Sequence, residues 1–110
     1  MAGWFELSKS SDDQYRFVLK AGNGEIILTS ELYTTKGAAE KGIASVQVNS
    51  PLDERYEKKT AANGKLHFNL KAANHQIIGS SQLYANEQSR ETGITSVKTN
   101  GVSQTIKDKT

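Results

Sequence analysis

A chain of 110 residues suits a single domain, and 35% hydrophobic against 24% charged residues is enough to bury a modest core. The absence of Cys excludes disulfide staples and thiolate chemistry, and the net charge of +2, with no basic block, excludes a nucleic-acid-binding tail. The N-terminal stretch MAGWFELSKS lacks an apolar signal core and no apolar run reaches membrane-spanning length, so we expect a soluble, cytoplasmic protein with no membrane association.

In chain order, WFELSK alternates, with Phe5 and Leu7 on one face. YRFVLKA alternates as well, with Tyr15, Phe17, Leu19 and Ala21 on one face. A turn of odd length around Asp12-Asp13 sets Leu7 beside Phe17 and Phe5 beside Leu19. Asn23-Gly24 then predicts a two-residue hairpin with positive φ at both residues, leading into EIILTS. That register pairs Ala21 with Ile26 and Leu19 with Leu28 on the core side, leaving Lys20 and Ile27 on the other. Thr35 is a good N-cap for a helix in which Ala39, Gly42, Ile43 and Val46 form one apolar stripe, and Asn49-Ser50-Pro51 ends it.

The chain then repeats itself. Shifted by 51 residues, positions 17–49 match 68–100 at sixteen of thirty-three places. Ile26-Ile27-x-x-Ser30-x-Leu32-Tyr33 returns as Ile77-Ile78-x-x-Ser81-x-Leu83-Tyr84, and Gly42-Ile43-x-Ser45-Val46 as Gly93-Ile94-x-Ser96-Val97. RYEKKT and KLHFNLKA, joined by a turn at Asn63-Gly64, read as the strands of the second copy. Asn86 caps its helix, and Asn100-Gly101 ends it, with Gly101 expected in the left-handed region. Two copies are too few for a solenoid and each is near the size at which a lone core becomes marginal, so they are expected to share one core about a pseudo-two-fold axis. The predicted architecture is α+β: one domain of two tandem β-β-β-α-β repeats, with 4–50 as the first, 55–101 as the second and 102–108 as a closing strand. Its sheet is largely antiparallel with both helices on one face.

The doubled frame F-x-L-K-A-x-N-x-x-I-I-x-x-S-x-L-Y, each followed by G-I-x-S-V, resembles the YegP-like family of small bacterial proteins, in its tandem-duplicated branch. The resemblance runs from Trp4 to Asn100. It implies that two strand-rich units join in a single sheet with their C-terminal strands exchanged. The family is uncharacterised, so the resemblance implies no activity, cofactor or site residue.

The residues themselves argue against catalysis. Ser30 and Ser81 recur, but His67 aligns with Arg16 and His75 with Gly24, so a repeated Ser–His pair is excluded. Both serines are expected to bond backbone at the strand-to-helix turn. Two lone histidines and scattered carboxylates match no metal spacing, and no glycine motif for nucleotides is present. No catalytic residue, metal or cofactor is therefore expected. Tyr33 and Tyr84 are expected to staple helix to sheet, each hydroxyl finding a partner.

The open sheet face is the candidate binding surface. The predicted registers gather Trp4, Arg16, Lys20, Arg55, Lys59, His67 and Lys71 there, with Glu6, Glu57, Ile27 and Ile78. Basic side chains beside a stacking ring are how sheet platforms hold single-stranded nucleic acid. The favoured function is a non-enzymatic binding or interaction module, with a protein as a candidate partner. The alternative is a weak polyanion or single-stranded nucleic-acid binder acting through this face. With both repeats in one chain, a monomer is expected.

Overall fold

The computed structural model describes residues 3–10 and 12–110. The first repeat supplies β1 (Trp4–Lys9), β2 (Tyr15–Lys20), β3 (Ile26–Ser30) and α1 (Lys36–Asn49). A 3-10 turn, Asp53–Arg55, leads to β4 (Tyr56–Thr60), β5 (Leu66–Lys71), β6 (Ile77–Ser80), α2 (Glu87–Asn100) and β7 (Ile106–Asp108). The strands form one seven-stranded sheet in the order β4-β5-β6-β3-β2-β1-β7. All pairings are antiparallel except β7 on β1. The two halves join where Thr29 faces Ser80, two residues related by the repeat, so the pseudo-two-fold axis passes between them.

β1 and β2 pair in the expected register, Phe5 with Leu19 and Leu7 with Phe17. Alternation then sends Phe5, Leu7, Phe17 and Leu19 under the helices and Trp4, Glu6, Ser8, Arg16 and Lys20 to the open face. Phe5 meets Phe17 edge-on at 5.9 Å, and Tyr56 meets Phe68 in the same way at 5.6 Å. Phe17 stacks on Tyr33 and Phe68 on Tyr84, both at 6.3 Å. Ile43, Val46, Ile94 and Val97 close the core from the helices. Thr35 Oγ1 accepts from the Ala38 N–H at 3.1 Å and Asn86 Oδ1 from the Ser89 N–H at 2.8 Å, so both N-caps stand as expected.

The Asn23-Gly24 hairpin differs from expectation. Gly24 has positive φ (87°) and Asn23 does not; the Asn23 side chain instead accepts from the Glu25 N–H at 3.0 Å. The loop closes through Ala21 N–H to Glu25 O, one residue away from the expected pairing. Lys20 consequently faces Ile26, and a bulge restores the Leu19–Leu28 pair. The residue taken up in that bulge is Ile27, which turns into the core at 6% exposure while Ile26 stands out at 47%. The second repeat does the same with Ile78 buried and Ile77 exposed, and His75 holds the left-handed position (φ 69°) that Gly24 holds in the first. Ile26 and Ile77, and not Ile27 and Ile78, therefore belong to the open face.

Gly101 is not left-handed either: its φ is −66°. Its lack of a side chain serves close approach, since a Cβ there would lie 2.5 Å from Ser50 Oγ. Ser50 and Gly101 are repeat equivalents, so the helix ends meet near the pseudo-axis, and the axis has room for one side chain.

Candidate functional site

The open face is electrically self-satisfied over much of its area. Glu6 accepts from the Trp4 indole N–H at 2.8 Å and pairs with Lys20 at 3.0 Å and Lys109 at 3.3 Å. These contacts, the indole first, hold the Glu6 carboxyl at about 2, against an ordinary 4.5. Glu57 does the same in the second repeat, meeting Lys71 at 2.8 Å and Lys59 at 3.7 Å, and its carboxyl is likewise lowered. Lys107 lies 4.2 Å from the Trp4 ring centroid, so the indole already carries a cation. Arg16 is exposed, and His67 is half-buried beside Lys59 on the neighbouring strand. Arg55 departs from its expected place: it sits in the 3-10 turn, and its Nε donates to Asn49 Oδ1 at 2.8 Å, at the end of α1. Asn49 and its equivalent Asn100 both fold back on their own helix, and Asn100 Oδ1 accepts from the Gly3 N–H at 2.9 Å. These two asparagines tie the helix ends to the chain; the sequence marked them as recurring helix-end residues but not their partners.

The duplicated serines are spent on backbone. Ser30 Oγ accepts from the Phe17 N–H at 2.9 Å and donates to Glu31 O at 2.7 Å. Ser81 repeats this with Phe68 at 2.9 Å and Gln82 at 2.8 Å. Neither hydroxyl bonds a histidine, and no group of three metal-ligating side chains occurs among the described residues.

Two grooves lie on the helix side, and they are copies of each other. The first, of about 570 Å³, runs between α1 and the β5–β6 hairpin. The second, of about 560 Å³, runs between α2 and the β2–β3 hairpin. Each is walled by the helix of one repeat and the hairpin of the other. Tyr33, Gly42, Ser45, Ala72 and Ile78 line the first, and Tyr84, Gly93, Ser96, Ala21 and Ile27 are their equivalents in the second. The repeated Tyr–Gly pair builds each floor: a Cβ on Gly42 would lie 2.5 Å from Tyr33 Oη, so only glycine lets the ring lie against the helix. The tyrosines staple helix to sheet as expected, each hydroxyl lying against the glycine of its helix, but neither hydroxyl has a hydrogen-bond partner among the described residues; each tyrosine lines a groove. Burial and then the nearby Glu31 carboxylate push the Tyr33 phenol up.

Comparison with known proteins bears on this arrangement. The family model described as "Domain of unknown function (DUF1508)" matches twice, over residues 10–57 and 61–108. The chain belongs to this family. The first matched segment carries β2, β3, α1 and the start of β4, and the second carries β5, β6, α2 and β7; β4 pairs with β5 of the second segment, and β7 pairs with β1, which precedes the first. The chain is 81% identical to the "UPF0339 protein YegP" of Escherichia coli (strain K12) over 110 residues, all of both chains. It is 64% identical to a UPF0339 protein of Shewanella oneidensis, again over the full length of both. Among solved structures, the solution NMR structure of the E. coli yegP protein, titled a protein of unknown function, superposes with a TM-score of 0.94 at 81% identity, covering 99% of this chain and 94% of that one. That of the Shewanella oneidensis UPF0339 protein superposes with a TM-score of 0.92 at 65% identity, covering 98% and 92%. These relatives are uncharacterised, and no helix among the described residues is long and apolar enough to cross a membrane.

Proposed function

We propose that this chain is a non-enzymatic binding module whose sites are the two grooves between each helix and the opposite repeat's hairpin. The observation that carries this reading is the same groove built twice, each with a glycine-seated tyrosine whose hydroxyl has no partner among the described residues. A volume near 570 Å³ falls in the range of small-ligand sites. The hydroxyls that would serve as nucleophiles are bound to backbone, which supports binding over catalysis. The polyanion reading ranks second, because Lys20, Lys59 and Lys71 already have carboxylate partners.

The test is a set of amide NMR spectra of the full chain, titrated with a panel of small amphiphilic compounds and, separately, with single-stranded DNA. Shifts gathering on Gly42 and Gly93, with both grooves responding, are expected from the panel. Shifts confined to the open face around Arg16 and Lys20, and seen only with DNA, would overturn the groove reading in favour of the polyanion one. A panel that moves neither groove would overturn it as well.

A further inference from the structure

The grooves share their framework and differ in their charge, and the difference follows a pattern. Positions 25 and 76 are repeat equivalents, as are 31 and 82. The first groove draws Glu31 and Gln76 from these positions, and the second draws Gln82 and Glu25. Each groove thus keeps one carboxylate and one amide, supplied from opposite walls. Neither Glu25 nor Glu31 is ion-paired among the described residues. The other titratable groups lining the first groove are Tyr33, Lys41 and His75; in the second, Tyr84 is the other one. Thr92 stands where Lys41 stands in the first groove, so among the described residues no cationic side chain lines the groove beside Glu25.

We propose that the second groove, between α2 and the β2–β3 hairpin, is a site for a primary alkylammonium group with Glu25 as its counter-ion. This rests on the reading of the grooves as binding sites. An ammonium presents three N–H donors and no acceptor. Glu25, Gln82 and Tyr84 all line this groove, and their side chains offer a carboxylate, an amide oxygen and a hydroxyl oxygen as acceptors. Ala21 and Ile27 supply apolar wall for the carbon chain that carries the ammonium. An anionic ligand would meet the Glu25 carboxylate with no cationic side chain among the described lining residues to balance it. In the first groove Lys41 opposes a cation, so the two grooves serve as each other's control. The ammonium belongs either to a free amine or to a lysine side chain of another polypeptide; the recognising chemistry is the same.

The experiment titrates the full chain with butylammonium, butanol and butyrate, following the amides of Tyr84, Thr92 and Gly93 by NMR. Butylammonium is expected to shift them saturably, and butanol and butyrate at least about tenfold more weakly, the worth of one charge-assisted contact. Glu25→Gln is expected to lose about the same factor, and Thr92→Lys to mimic that loss by importing the first groove's cation. Lys41→Thr should strengthen butylammonium binding in the first groove. Spectral dispersion of each variant verifies its fold. Equal binding of butanol or butyrate, or an unchanged response in Glu25→Gln, overturns the ammonium site while leaving the grooves as binding sites. Silence of both grooves towards all three probes overturns both readings. A parallel titration with 1,4-diaminobutane and Nα-acetyl-lysine methylamide identifies the source: tighter diamine binding supports a free amine, tighter lysyl binding a polypeptide side chain.

Discussion

The pseudo-two-fold axis makes a quantitative demand on Leu28 and Gly79. They are repeat equivalents close to the axis, and they compete for the same volume. Leu28 fills it at 1% exposure, and Gly79 yields. A Cβ on Gly79 would lie 2.9 Å from Thr29 O, 3.0 Å from Leu28 Cγ and 3.2 Å from Leu28 Cδ2. Gly79→Ala should therefore cost about 1–3 kcal/mol, the usual range for overpacking, despite the entropy it removes from the unfolded chain. Leu28→Ala should cost about 2–5 kcal/mol through the cavity it leaves. In the double variant two of the three close contacts vanish and the new methyl enters that cavity. The pair should therefore be less destabilised than the sum of the two by about 1–2 kcal/mol. Urea unfolding followed by circular dichroism measures all four corners of the cycle, with the m-value checked for constancy. For a chain of 110 residues a 1 kcal/mol change moves Tm by about 4 °C, well within resolution. Additive costs would refute the reasoning, because they would mean that Leu28 does not crowd position 79. A Gly79→Ala variant more stable than the parent would refute it outright.

Three further outcomes are expected. Ser30→Ala should cost about 1–3 kcal/mol by chemical denaturation, because it strands the buried Phe17 N–H; an unchanged midpoint would contradict that role. Glu6 is depressed in the folded state, so it stabilises the fold above the ordinary carboxylate value of 4.5 and that contribution fades as pH falls toward about 2. Thermal melts across this window should lose part of their pH slope in Glu6→Gln, and identical slopes would remove Glu6 from the account. Trp4 emission should hold steady when single-stranded DNA is added at low salt, since Lys107 covers the ring; a salt-sensitive change would move the open face ahead of the grooves.

Features written into neighbouring residues were legible from the sequence alone. The β1–β2 register followed from alternation across a short turn, both N-caps from Thr35 and Asn86, and the core stripe of each helix from Ile43, Val46, Ile94 and Val97. The tandem frame implied a shared core, and the sheet joined at Thr29 and Ser80 supplies it. The backbone role of Ser30 and Ser81 followed from their place before a turn. The swap of Ile26 for Ile27 did not, because two hairpin closures one residue apart are both compatible with Asn-Gly, and burying Ile27 together with Leu28 is an energy of the assembled core. The charge pairs on the open face were hidden for a similar reason: periodicity places Lys20, Lys71, Glu6 and Glu57 on one side of the sheet without saying which side chains touch. Arg55 left that face because the 3-10 turn before β4 directs it to Asn49, a contact set by where α1 ends. The grooves lay furthest from view. Their walls come from opposite repeats, Tyr84 and Gly93 meeting Ala21 and Ile27, so they come into being only when the two copies close on each other.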